Sequence, residues 1–256
     1  MIYKLHSLHN DFFITNQKSQ NFKQFTIDLC KRKTGFGADG LIYFKIKDSS
    51  IDNFIIEAFL YNQDGSKAGF SGNGFSCLAK LLFLQNPKLQ KIEIKSQNNK
   101  YSVSKNKSKI LLKLDSYFDL NQKYKHSSIY KENNCFHIDV GNEHAVIFNT
   151  YDPKYIESHF NNLNNYPNSI NVDFVKVINS SKIELDVIER GCGRTAACSS
   201  GALASTIIGH QKKLLILPVN ISQKGGDCIV SKNETDESFC IELNPVFIGQ
   251  VEYELK

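Results

Sequence analysis

Two short segments carry residue types that could do chemistry. Ser71-Gly72-Asn73-Gly74 and Cys198-Ser199-Ser200-Gly201 share one layout: a small nucleophilic residue, two small or polar residues, a glycine, then an apolar run of helical period. Backbone N–H groups at a helix start are unpaired and lie at the positive end of the helix dipole. They bind carboxylates and phosphates without any basic side chain. A cysteine in that first turn can have its pKa lowered from ~8.5 to between ~3.5 and 7.5. Ser71 and Cys198 are therefore candidate catalytic groups, expected to flank one bound carboxylate if two halves face each other across a cleft. The plainer alternative makes both of them helix N-caps or small packing residues.

A second set of residues surrounds these segments. Asn10, Asn62, Asn142 and Asn171 each sit at a strand edge beside a Gly, Asp or Val, and Glu189-Arg190-Gly191 follows the apolar strand Leu185–Ile188. An Arg–Glu pair entering a Gly-rich turn can clamp a carboxylate bidentately and hold an ammonium beside it. Four such asparagines with this pair point to a site for a zwitterion.

The elements that must position these residues can be read from periodicity. After SGNG, Phe75, Cys77, Leu78, Leu81, Leu82 and Leu84 predict about three helical turns, ended by Asn86-Pro87. After CSSG, Ala202, Leu203, Ala204, Ile207 and Ile208 predict a second helix that Gly209 breaks. Strands are expected at Phe12–Thr15, Leu41–Ile46, Phe54–Tyr61 and Ile92–Lys95. Each nucleophile follows a strand and a Gly-containing turn, and the two motifs lie about 127 residues apart, from 71 to 198. That repetition is the mark of a duplication and implies two similar α+β halves. Polar residues over Ser116–Asn134 fit a linker or long hairpin between them. The tract Asn161–Asn171 reads as a surface loop, and the tail Phe239–Leu255 as paired strands broken at Asn244-Pro245.

With 256 residues and 41% hydrophobic content, the chain can bury one large core or two smaller ones, which excludes disorder, collagen and coiled coil. The net charge of +5 comes from scattered lysines without a basic run or an aromatic stripe, so nucleic acid is not an expected partner. No apolar run approaches membrane-spanning length, and the start MIYKLHSLHNDFF lacks a signal-peptide layout. A cytoplasmic protein without membrane contact is expected. Seven cysteines, an odd number with neither CxxC pairs nor zinc-finger spacing, suggest reduced thiols, most of them buried, and no metal site.

The motifs HSLHNDFF, TGFGADG, YNQDGSKAGFSGNG, GNEHAVIF, INVDFVKV, ERGCGRTAACSSGA and KGGDC, in this order and spacing, cover most of the chain. In this the sequence resembles the diaminopimelate epimerases, amino-acid epimerases and racemases that use no pyridoxal phosphate. The resemblance implies an α+β fold of two pseudo-symmetric domains, each a curved, mostly antiparallel sheet around a central helix. Residues 1–115 would form the N-terminal half, joined by the strand at 246–256, and residues 116–245 the C-terminal half, with the active site in the cleft between them. The implied reaction interconverts LL- and meso-diaminopimelate, in the lysine and cell-wall precursor route, with no cofactor. A homodimer is left open.

By the same resemblance, Asn10, Asn62, Asn142, Asn171, Glu189 and Arg190 would hold the distal end of diaminopimelate. Gly72, Asn73, Gly74 and the backbone of Ser199, Ser200 and Gly201 would hold the carboxylate of the reacting carbon. Two cysteines face the α-carbon in that family; Cys198 matches one, and Ser71 stands where the other is expected. An alcohol ionises at least ~5 pKa units above a thiol, so making that base costs roughly 7 kcal/mol more, or about five decades in rate. Three readings of Ser71 follow: an introduced or recent substitution in an epimerase, a one-base isomerase, dehydratase or racemase of another amino acid using Cys198, or an amino-acid-binding homologue without the reaction. Smaller departures are His9 for Gly, Glu143 for Pro, Arg194 in place of the usual Gly-Glu-Thr, and Ser199 for Gly.

Overall fold

The computed structural model describes residues 1–97, 99–125, 135–148, 166, 169–190, 192–233 and 235–253. The chain forms two compact units, Met1–Asp115 with Glu242–Lys256, and Ser116–Ile241. Among the described residues, no helix is long and apolar enough to cross a membrane.

In the first unit, β1 (Ile2–Ser7) lies antiparallel between β2 (Asn10–Thr15) and β18 (Val246–Val251). Helix α1 (Phe22–Cys30) then leads to β3 (Gly40–Ser49), which runs parallel to β2 and antiparallel to β4 (Asn53–Asn62). A two-residue strand, β5 (Lys67–Ala68), folds back on β4. Helix α2 (Gly72–Gln85) crosses over to β6 (Lys91–Ser96), parallel to β4, and β7 (Asn99–Asn106) and β8 (Lys109–Leu114) continue antiparallel. Almost every residue of α2 is buried, because the curved sheet wraps it.

The second unit repeats this order. Strand β9 (Phe118–Asp119) pairs with β10 (Cys135–Asp139), placing a strand inside the expected 116–134 linker, whose residues 126–134 lie outside the described ones. Strand β10 is antiparallel to β11 (Glu143–Ile147), and β11 is parallel to β12 (Asn171–Asn179). Next come β13 (Lys182–Glu189) and the short return strand β14 (Gly193–Thr195). Helix α3 (Ser199–Gln211) crosses to β15 (Val219–Gln223), parallel to β13, with β16 (Gly226–Lys232) antiparallel beside it. Thus β1 to β4, β5, α2, β6 and β7 correspond in pairing sense, one by one, to β10 to β13, β14, α3, β15 and β16. The remaining strand, β17 (Phe239–Leu243), precedes β18 across the expected Asn244-Pro245 break.

Some expectations give way to packing. Gly209 does not end α3: a Cβ there would meet Leu215 Cδ1 at 2.4 Å, so the glycine admits a neighbouring side chain. The helix runs two residues further, to Gln211, and stops before Lys213, which turns left-handed (φ 60°), while the N–H groups of Lys213 and Leu214 bond back to His210 and Gly209. Tyr166 overturns part of the surface-loop reading of 161–171. Its ring is fully buried in a cluster with Tyr124, Ala145 and Val172, while residues 161–165, 167 and 168 lie outside the described ones. Leu8 and His9 (φ 51° and 64°) form the two-residue turn between β1 and β2, which demands left-handed backbone. Six of the seven cysteines are buried, Cys192 being the exception.

Candidate active site

Both nucleophile candidates cap their helices in nearly the same way. Ser71 is extended (φ −148°, ψ 111°), and its Oγ accepts the Gly74 N–H at 3.1 Å. Cys198 is extended (φ −131°, ψ 115°), and its Sγ accepts the Gly201 N–H at 3.4 Å. The residues between, Gly72, Asn73 and Gly74 in one unit and Ser199, Ser200 and Gly201 in the other, are all buried in the first turns of α2 and α3.

The side chains around Cys198 form a continuous polar line. Its Sγ lies 3.2 Å from Ser200 Oγ, which lies 3.0 Å from His144 Nε2, and His144 Nδ1 lies 2.7 Å from Asp173 Oδ2. The His144 and Asp173 side chains are both fully buried. The pair arises because β11 and β12 run parallel with His144 opposite Asn171, so that Asp173, two residues further on, shares the same face. Gly201 permits the arrangement, since a Cβ there would stand 2.3 Å from Asp173 Oδ1. From the other side, Gln223 Oε1 accepts the Cys198 backbone N–H at 2.8 Å, and its amide reaches Cys228 Sγ at 3.8 Å. The KGGDC motif thereby helps fix the turn that carries Cys198, and Gly225 N–H bonds to Ala196 O at 2.7 Å.

Glu189 sits where β13 ends. Its carboxylate accepts from Thr195 Oγ1 and from the Cys198 thiol. Burial raises its pKa against the pull of those two hydrogen bonds. The Cys198 thiol is also raised well above its ordinary value, first by burial and then by the charges of Glu189 and Asp173; the Ser200 and Gly201 contacts oppose this. The helix dipole alone predicts a lowered thiol, and here desolvation with two adjacent carboxylates outweighs it. Cys198 therefore rests protonated, beside groups able to accept its proton.

The asparagines are built into the frame. Asn10 Nδ2 donates to Asp39 at 2.7 Å, and Asp39 in turn pairs with Arg32, which also binds Asp11. Asn62 donates to Ser66 Oγ at 3.0 Å. Asn171 bridges Glu143 O and the Arg190 N–H, both at 3.0 Å, so it fixes the turn that carries Arg190. Asn142 lies in the turn before β11, where its carbonyl accepts the Val140 N–H at 3.1 Å. The Arg190 residue is exposed. Arg194 pairs with Asp186 on the neighbouring strand, a surface ion pair that neutralises its charge. Asn10, Asn62 and Ser71 to Gly74 thus belong to the first unit, and Asn142, Asn171, Glu189, Arg190 and Cys198 to Ser200 to the second.

Sequence reasoning did not single out His144, Asp173, Gln223, Thr195 or Asp39. A signal existed for the first two, since each is a titratable residue inside an otherwise apolar strand run, where burial demands a partner.

The sequence matches the diaminopimelate epimerase family over residues 2–116 and 136–246. The diaminopimelate epimerase of Rickettsia peacockii is 32% identical over 272 residues, covering 98% of this chain and 96% of that protein. Among solved structures, a putative phenazine biosynthesis PhzC/PhzF protein from Clostridium difficile superposes with TM-score 0.68 at 10% identity, over 99% of this chain and 98% of the other. A probable proline racemase from Agrobacterium radiobacter, with bound carbonate, gives TM-score 0.65 at 10% identity, over 100% and 93%. Those two likenesses establish the fold shared by all three. The chain belongs to the diaminopimelate epimerase family, whose members are amino-acid epimerases and isomerases that work without pyridoxal phosphate.

Proposed function

We propose that this chain binds diaminopimelate and moves the proton of its α-carbon, interconverting the LL and meso forms in lysine and cell-wall precursor synthesis, without metal or cofactor. The observation that carries this reading is Cys198: a protonated thiol capping a helix, in contact with Glu189 and, through Ser200, with His144. The thiol proton passes to one of these bases. The thiolate then takes the α-proton, so that the C–H bond breaks, an S–H bond forms, and the electron pair moves onto the substrate carboxylate. Backbone N–H groups in the first turns of α2 and α3 stabilise that charge without reorganising. Arg190 and the asparagines at positions 10, 62, 142 and 171 hold the distal zwitterionic end. Ser71 can act only as a proton donor and a very weak base, so the chain inverts its substrate slowly.

A one-base isomerase is the second reading. It is favoured by the apolar ground beneath Ser71, where Ile42 Cδ1 and Phe12 Cζ lie 3.0 and 3.3 Å from the Cβ position of Gly74.

The test is α-proton exchange in deuterated water, followed by NMR on diaminopimelate, proline and alanine. Diaminopimelate is expected to gain deuterium at one α-carbon, and alanine and proline to gain none. Equal exchange of alanine or proline overturns the substrate assignment, and failure of any amino acid to exchange overturns the enzymatic reading.

A further inference from the structure

We propose that Glu143 is a positioning residue of the distal site: anchored by Lys123 and Tyr124, it holds Arg190 through Asn171 and by charge, and so sets how tightly the chain grips a substrate's distal carboxylate. The inference rests on the reading of Arg190 as the group that binds that carboxylate.

Glu143 opens β11, directly after Asn142. Its carbonyl accepts Asn171 Nδ2 at 3.0 Å, and Asn171 Oδ1 accepts the Arg190 N–H at 3.0 Å, so one asparagine ties the start of β11 to the turn that carries Arg190. The carboxylate is anchored separately. Tyr124 donates its hydroxyl to Oε2 at 2.5 Å, and the Lys123 ammonium pairs with Oε1. Tyr124 is a firm post: its ring is buried against His137 and Tyr166, with centroids 4.8 and 5.0 Å away, and its N–H bonds back to Leu120 O at 3.2 Å. Proline, the residue the family prefers at 143, would offer Asn171 the same carbonyl but no charge. This chain adds the charge.

Burial alone would raise the Glu143 carboxyl, yet its hydrogen bonds with Lys123 and Tyr124 and the charges of Lys123 and Arg190 hold it below its ordinary value, so it stays ionised at neutral pH. Arg190 is exposed, and a long exposed side chain loses rotamer freedom when it binds. A fixed negative charge within its reach restricts those rotamers beforehand. Bystander and positioning roles predict opposite signs. A carboxylate that only adds negative charge repels the substrate's distal carboxylate, so Glu143→Gln would tighten binding. A carboxylate that positions Arg190 improves the grip, so Glu143→Gln must weaken it. Direct contact with a distal ammonium would show only in ligands that carry one.

The experiment is calorimetric binding of meso-diaminopimelate and of 2-aminopimelate, which keeps the distal carboxylate and lacks the ammonium beside it. Both are titrated into the full chain, Glu143→Gln, Tyr124→Phe, Arg190→Gln and the double variant of Glu143→Gln with Arg190→Gln. Glu143→Gln is expected to weaken both ligands at least about fivefold and to add little in the Arg190→Gln background, because it acts through Arg190. Tyr124→Phe keeps the charge and the ring but frees Oε2, so it should weaken both ligands in the same direction by less, and it decides the matter if Glu143→Gln does not fold. Unchanged or tighter binding by Glu143→Gln, a loss confined to diaminopimelate, or the same loss again in the double variant overturns the proposal. Failure of the full chain to bind diaminopimelate, or Arg190→Gln binding it as tightly as the full chain, overturns the distal-site reading and this proposal with it, whereas a failure confined to the Glu143 and Tyr124 variants leaves that reading standing.

Discussion

The N-termini of α2 and α3 are the same device built on different ground. Following the strand registers, Ser71 corresponds to Cys198, Asn62 to Glu189, Phe12 to His144 and Ile42 to Asp173. Each helix start offers N–H groups to an anion, and each cap closes on the glycine three residues on. Beneath Gly74, however, stand Phe12 and Ile42, whereas beneath Gly201 stands the carboxylate of Asp173 with His144 bonded to it. Every titratable member of the four pairs lies in the second unit. Anion binding needs only backbone and survives any choice of side chains around it. Proton transfer needs a base with a partner, and the first unit supplies neither at these positions.

The comparison can be sharpened first by acid. In the second unit, burial pushes His137 down to about 4 from its ordinary 6.5, so the unfolded chain binds that proton first as pH falls. The stabilisation from keeping His137 neutral is complete above pH 6.5 and is lost between 6.5 and 4, reaching roughly 3 kcal/mol. In the first unit, Asp11 is pushed up by burial but held below its ordinary value by Lys4 and Arg32, so its contribution disappears only below the usual carboxylate range. Urea denaturation at pH 7.5, 5.5 and 4.5 should show the loss in wild type and a flatter profile in His137→Gln. Equal slopes in both proteins would break this distinction between the units.

A smaller effect separates the two glycines. Alanine at 201 would bring Cβ to 2.3 Å from a fixed carboxylate oxygen, whereas alanine at 74 would meet side-chain carbons at 3.0 and 3.3 Å. Alanine's helix propensity repays up to ~1 kcal/mol at either site. Gly74→Ala is expected to fall within about 1 kcal/mol of wild type, and Gly201→Ala to be about 2 kcal/mol worse than that, both measured by denaturant unfolding. Equal costs would mean that Asp173 is not held rigidly against the helix.

The two helix starts and their repetition were legible because they rest on local signals: a small capping residue, a glycine in the first turn and an apolar period of 3.6. So were the strands at 41–46 and 54–61, which extend to Gly40–Ser49 and Asn53–Asn62 once paired. The end of α3 was misread, since Gly209 serves a close contact with Leu215 that no local pattern reveals. The proton line was invisible for a similar reason. His144, Asp173 and Ser200 are far apart in sequence and meet only through a parallel strand pairing and a crossover helix. Glu189 stood out in the sequence beside Arg190, but its contacts with Thr195 and Cys198 did not, since they arise from alternation along β13 and the return of β14.

The central claim is that proton chemistry resides at Cys198 and that Ser71 contributes little more than a cap. Its most direct test is the rate at which LL-diaminopimelate becomes the meso form in the wild-type chain and in Ser71→Cys, with binding measured in parallel by calorimetry. The account predicts similar affinities and an inversion rate at least roughly a thousandfold higher in Ser71→Cys, a lenient bound on the five decades that separate an alcohol from a thiol as base. Wild-type inversion as fast as that of Ser71→Cys would contradict it.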